Sequence, residues 1–119
     1  MTLDLSHVLA AQRKIGSAAI RTPLVPSPHM SHVAGHEFLL KLEFTQPTGA
    51  FKLRGALNAI ANLPASAVGV TCCSTGNHGR AVAYAARMQG LRAVICMSAL
   101  VPRVKVDGIR ALGAEVRII

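Results

Sequence analysis

Two short segments concentrate the residues that could do chemistry. The first, PTGAFKLRGA at Pro47–Ala56, holds one lysine, Lys52, between Phe51 and Leu53. A turn signal precedes it, and Leu53, Leu57 and Ile60 follow at helical spacing. Lys52 therefore falls in the first turn of a helix, where the positive end of the helix dipole opposes a cation. With partial desolvation beside Phe51, that place favours the free amine, and a free amine can form a Schiff base. Gly49 and Gly55 leave room for a flat group to approach the backbone. The plainer alternative is a solvated lysine at a glycine-flanked helix start.

The second segment, TCCSTGNHGR at Thr71–Arg80, is an apolar run that enters a polar turn and then a helix. That order puts backbone N–H groups and a positive helix end at the carboxyl end of a strand. Open α/β sheets bind ligands there. Ser74, Thr75 and Asn77 add short polar side chains, so the expected guest is an anion such as a carboxylate or phosphate. Ordinary helix capping by Ser, Thr and Asn is the alternative. A phosphate loop of the GxxxxGK[ST] kind is excluded, because no Gly-Lys pair occurs. A dinucleotide GxGxxG fingerprint is absent too. Cys72, Cys73, His78 and Cys96 lack any zinc-ligand spacing, so no metal site is expected.

The elements that must hold these segments follow from periodicity. A helix is expected over residues 6–20 with Ser6 as N-cap, then an extended, turn-rich connector at 21–28. Glu37–Phe44 reads as a strand, Gln46–Gly49 as a turn, and residues 51–63 as a helix stopped before Pro64. Val68–Cys73 reads as a strand buried on both faces. Asn77–Met88 is a helix with Val82, Ala85 and Ala86 inward and Gly90 as its stop. Leu91–Met97 is a strand. A helix opening at Pro102 carries Val106, Ile109 and Leu112 and ends at Gly113, and Ala114–Ile119 is the last strand. Strands alternating with helices call for an α/β fold with a parallel sheet and right-handed crossovers. Three strands and two helices leave one sheet face and an edge poorly covered, which points to the N-terminal piece of a longer protein.

Composition narrows the class. The chain has 119 residues, 51% of them hydrophobic and 15% charged, so a packed core is expected. No apolar run approaches the ~18 residues of a membrane helix, and Asp4 does not suit a signal peptide. A soluble, cytoplasmic protein is the expectation. The three cysteines form no even set and no CxxC, which fits a reducing compartment and small buried thiols. The net charge of +8 is spread from Arg13 to Arg117 without a block, and the few aromatics do not interleave with it, so no nucleic-acid partner is expected.

Taken together, KLEFTQPTGAFKLRGA at Lys41–Ala56 and STGNHG at Ser74–Gly79 resemble the serine/threonine dehydratase branch of the fold-type II pyridoxal-phosphate (PLP) enzymes, whose fold is that of the tryptophan synthase β subunit. The later P-x-x-K…GAEV at Pro102–Val116 fits as well, and the likeness runs from Arg21 onward. The wording TGAFKLRGA and STGNHGRAVAYAAR is similar to that of the hydroxyectoine-utilisation dehydratases. The resemblance implies that Lys52 carries PLP as a Schiff base, that Phe51 lies against the cofactor ring, and that Asn77 hydrogen-bonds its phenolic oxygen. It implies that Ser74, Thr75, Gly76 and His78 take the substrate carboxylate. It further implies that residues 1–64 belong to the large PLP-binding domain and 65–119 to the smaller open α/β domain, each incomplete, and that the whole protein is a homo-oligomer. The reaction implied is α,β-elimination from a hydroxy amino acid such as L-threonine or L-serine, or from a hydroxyectoine-derived compound, giving a 2-oxo acid and ammonia.

The sequence departs from that pattern in places. Ala50 replaces a serine often found two residues before the lysine. Thr75 stands where related serine racemases carry a serine base, which disfavours racemisation. The glycine-rich loop for the PLP phosphate and the group that meets the pyridine nitrogen are expected downstream of Ile119, so these 119 residues alone are expected to be inactive. Racemisation or β-replacement on the same scaffold, and a non-catalytic α/β fragment, stay open as alternatives.

Overall fold

The structure, a computed structural model, describes residues 2–119. Helix α1 spans Leu5–Ile15. Its N-cap is Asp4, not the expected Ser6: Asp4 Oδ1 accepts the N–H groups of Ser6 and His7 at 2.8 and 3.2 Å. A carboxylate is the better cap because it also meets the helix dipole. The helix stops earlier than expected, since Gly16 turns the chain at φ +49° into a 3₁₀ turn over Gly16–Ala18. The expected connector is more ordered than its prolines suggested. It contains strand β1, Leu24–Pro26, and leads into helix α2, Pro28–Ala34, with proline at its first turn and Gly35 in the left-handed region at its end.

Strand β2 is short. Only Leu39–Lys41 pairs, antiparallel, with β1. The expected strand to Phe44 is cut off by a 3₁₀ turn at Glu43–Thr45. Helix α3, Lys52–Ile60, buries Leu53, Ala56, Leu57 and Ile60, the stripe its spacing predicts. Leu53 is fully buried, a burial worth about 2 kcal/mol.

The second half forms the expected β-α-β-α-β unit. Strands β3 (Gly69–Cys73), β4 (Arg92–Met97) and β5 (Glu115–Ile118) are parallel in the order β3-β4-β5. Helices α4 (Asn77–Met88) and α5 (Arg103–Arg110) connect them, packing on the sheet and on each other. Gly90 and Gly113 end the two helical segments at φ +66° and +85°, a conformation that costs glycine nothing. On the covered face Ala93, Ile95 and Met97 of β4 are buried together with Val82, Ala85, Ala86, Val106 and Ile109. Thr71, Cys73, Val94, Cys96, Glu115 and Arg117 share the opposite face by register, and no element of the described residues covers it.

Two burial expectations are overturned here. Strand β3 is not buried on both faces; Val70 and Cys72 are half-buried while Thr71 and Cys73 are exposed. It lies at the sheet edge, and β4 holds the centre. The thiols are not small core groups either: Cys73 and Cys96 lie on the uncovered face and Cys72 on the edge strand. Cys73 is exposed, and Cys72 and Cys96 are half-buried. Burial pushes the Cys72 thiol pKa up. No helix of the described residues is long and apolar enough to cross a membrane.

Candidate active site

Lys52 opens α3. The turn before it is fixed at Gly49, whose φ of +74° demands glycine and whose N–H donates to the Gln46 carbonyl at 2.7 Å. Phe51 and Lys52 are both exposed, and the Lys52 Nζ stands 5.3 Å from the Phe51 ring centroid. The desolvation expected beside Phe51 is therefore not supplied by these residues. What they supply is an accessible amine beside an exposed aromatic face.

The chain around the lysine is held by a dense polar network that spacing alone did not reveal. Glu43 Oε2 accepts from Arg54 Nε at 2.9 Å and Oε1 from Arg54 Nη2 at 2.7 Å, a two-pronged ion pair. Oε1 also accepts from the Thr22 hydroxyl at 2.5 Å, and Oε2 from Gln46 Nε2 at 3.3 Å. Gln46, only 3% exposed, in turn clasps Ile20 by both its N–H and its carbonyl, at 3.1 and 2.9 Å. Arg54 adds a third bond to the Ile20 carbonyl at 3.0 Å. Bonding to Arg54 above all holds the Glu43 carboxyl down at about 2. The clue available in the sequence was scarcity. Five acidic residues face thirteen basic ones, so an acid beside a turn is a promising partner for a distant arginine. Within the same turn Thr48 is 2% exposed, and its hydroxyl finds no partner among the described residues.

Helix α4 supplies the second half of the site. Ser74 lies after β3, its N–H bonded to the Cys96 carbonyl at 3.0 Å. Its hydroxyl oxygen accepts the Gly79 and Gly76 N–H groups at 2.8 and 3.3 Å. Ser74 therefore does cap the helix, as the plainer reading held. That leaves its hydroxyl hydrogen without an acceptor among the described residues, still available to a guest. The N–H groups of Thr75, Asn77 and His78 likewise find no acceptor there. Gly79 lets the helix seat closely: a Cβ there would stand 2.9 Å from Ile95 Cγ2 and 3.3 Å from Ser74 Cβ.

Helix α3 packs on α4, and between them runs an open groove of about 540 Å³. Phe51, Lys52 and His78 line it together, with Gly55, Val82 and the β3 residues Val70, Thr71 and Cys72. Of the seven residues singled out in the sequence, the groove thus unites three. Ser74, Thr75, Gly76 and Asn77 form the turn just before His78, outside the groove's lining.

Three comparisons bear on this arrangement. The family model described as "Pyridoxal-phosphate dependent enzyme" matches residues 15–119. The chain belongs to the pyridoxal-phosphate-dependent enzyme family. It is 52% identical over 119 residues to a Sinorhizobium fredii protein named "Putative threonine dehydratase", covering 98% of this chain and 36% of that protein. It is 41% identical over 116 residues to an L-threonine ammonia-lyase of Thermotoga maritima, covering 96% of this chain and 29% of the relative. The chain thus spans about a third of the length of these curated relatives. Among solved structures it is similar to serine racemase from Dictyostelium discoideum, with a TM-score of 0.91 and 33% identity over 99% of this chain and 39% of that one. It is also similar to a threonine deaminase from T.th., with a TM-score of 0.85 and 40% identity over 98% of this chain and 37% of that one. The expected fold-type II α/β architecture is that of these structures.

The residues present fit a pyridoxal phosphate. An accessible primary amine at Lys52 suits an aldehyde, the exposed Phe51 ring suits a planar heterocycle, and the unpartnered N–H groups at the start of α4 suit an anion.

Proposed function

We propose that the whole protein is a PLP-dependent ammonia-lyase that eliminates the β-hydroxyl of a small hydroxy amino acid, of the L-threonine and L-serine class, to give a 2-oxo acid and ammonia. The single observation that carries this reading is the placement of Lys52. A primary amine opens α3 in the same groove as His78, next to a turn in which the N–H groups of Thr75, Asn77 and His78 find no acceptor among the described residues. Identity with proteins named threonine dehydratase and L-threonine ammonia-lyase supports the reaction class.

When bound, PLP supplies an aldehyde for the Lys52 amine and an electron sink for charge developed at the substrate Cα. The residues of this chain then have separable tasks. The Lys52 Nζ would accept the proton from the substrate Cα. The Ser74 hydroxyl, the Thr75 N–H and His78, with Gly76 in the same turn, would hold the substrate carboxylate. Asn77 would hydrogen-bond the cofactor's phenolic oxygen, and Phe51 would lie against its ring. Residues 1–64 belong to the large cofactor domain and 65–119 to the smaller domain. The protein works in the cytoplasm as a homo-oligomer.

The test is chemical. Full-length protein loaded with PLP should absorb in the visible. Borohydride should fix the cofactor on the peptide containing Lys52, and L-threonine or L-serine should yield equal amounts of 2-oxo acid and ammonia. Lys52→Ala should abolish both labelling and turnover. A colourless protein with Lys52 unlabelled would sink the reading. Racemisation is a second reading, favoured by the likeness to serine racemase. D-serine formed from L-serine by the wild-type protein, and increased by Thr75→Ser, would support it over elimination.

A further inference from the structure

The start of α3 has no local device that fixes it. Its N-cap is Phe51, whose side chain makes no capping bond, and the first bonds of the turn are 3.4 and 3.1 Å long. A helix end of this kind frays unless tertiary contacts hold it. Leu53 points one side of the turn into the core. The remaining constraint is the polar network, and it grips the chain on both sides of the lysine. Gln46 anchors the near side to Ile20, and Arg54, two residues beyond Lys52, anchors the far side to Glu43 and Ile20.

We propose that Glu43 and Arg54 are positioning residues for the Lys52 amine. Their two-pronged ion pair sets the register of the first turn of α3 against the segment at Ile20–Thr22. It also turns the guanidinium toward Ile20, although Arg54 lines the same groove as Lys52. All four acceptor positions of the Glu43 carboxylate are used, by Arg54 twice and by Thr22 and Gln46 once each. Loss of the carboxylate charge would therefore loosen the near anchor and release a cation beside the amine in one step. Neither Glu43 nor Arg54 touches the reacting atoms in this account. They act through Lys52. This inference rests on the reading of Lys52 as the cofactor-bearing lysine.

The experiment strips the full-length protein of PLP and follows reloading by the return of visible absorbance and by borohydride labelling of the Lys52 peptide. Glu43→Gln and Arg54→Lys are compared with wild type and with Val106→Ala, a core truncation on the buried face of α5 that lowers stability without touching the network. A misplacement on the order of 1 Å costs up to ~100-fold in rate. Glu43→Gln and Arg54→Lys should therefore reload ~10- to 100-fold more slowly, while Val106→Ala reloads at the wild-type rate despite a lower melting temperature. Arg54→Lys keeps the charge but loses the fork, so it carries the test if Glu43→Gln does not fold. If both variants reload within twofold of wild type, the positioning role is wrong. If wild type itself is never labelled at Lys52, the reading of Lys52 falls and this inference with it.

Discussion

The seating of α4 on the sheet can be measured with two glycines that ask opposite things of an alanine. A Cβ at Gly79 would stand 2.9 Å from Ile95 Cγ2, 3.3 Å from Ser74 Cβ and 3.4 Å from Ile109 Cδ1. At Gly108, within α5, a Cβ would meet nothing within 4 Å. Both changes gain helix propensity, about 1 kcal/mol each. Only Gly79→Ala adds the cost of overpacking, about 1–3 kcal/mol for forcing a methyl into a filled space. Propensity cancels in the difference, so Gly108→Ala should be more stable than Gly79→Ala by about 1–3 kcal/mol. Gly108→Ala should itself exceed wild type by about 0.5–1 kcal/mol. Urea unfolding followed by circular dichroism reads both. Because the crowding at Gly79 presses on Ser74, the variant should also weaken the Ser74 cap. Equal stabilisation by both alanines would refute the close packing of α4 on Ile95.

The remaining predictions concern polar groups. Glu43, held at about 2 against an ordinary 4.5, binds its proton less readily folded than unfolded, so its contribution of about 3 kcal/mol is present above pH 4.5. It is lost as pH falls through 4.5 toward 2, and acid titrations of wild type and Glu43→Gln should converge there; a constant gap down to pH 2 would argue against the ion pair. Thr48→Val replaces a buried hydroxyl that lacks a partner by a methyl of the same shape, and should raise stability by about 1 kcal/mol or more in thermal melts. A loss instead would mean that the hydroxyl is bonded in solution. Ser74→Ala removes the acceptor for Gly76 and Gly79 N–H and should cost about 1 kcal/mol, with an increase in KM for the amino acid. Unchanged KM would confine Ser74 to capping.

The β-α-β-α-β half was legible because two periods alternate in it, with glycines at the helix ends where φ is positive. The strand at Leu39–Lys41 was overextended because five of the eight residues of EFLLKLEF are apolar, while Glu43, bonded to Arg54, sits in a 3₁₀ turn that ends the pairing. Helix α2 was missed because it buries no residue, so no apolar stripe marks it. The exposure of β3 could not be read from VGVTCC, since apolarity does not say which strand takes the edge. In the site, the order lysine, then polar turn, then helix was visible. The Glu43–Arg54 pair was not, because partners eleven residues apart across a turn leave no periodic trace.

The seam between α3 and α4 has one more implication. Lys52 begins one rod and His78 lies in the first turn of the other, so their separation is a matter of how two cylinders lie side by side. On α4 the interior is faced with Ala81, Ala83, Ala85 and Ala86, and alanine raises only shallow ridges. A slip of a single helical turn moves one rod by about 5.4 Å relative to its neighbour, more than any hydrogen bond can span. Sliding of one rod along the other would therefore change the distance between Lys52 and His78 across the groove they line.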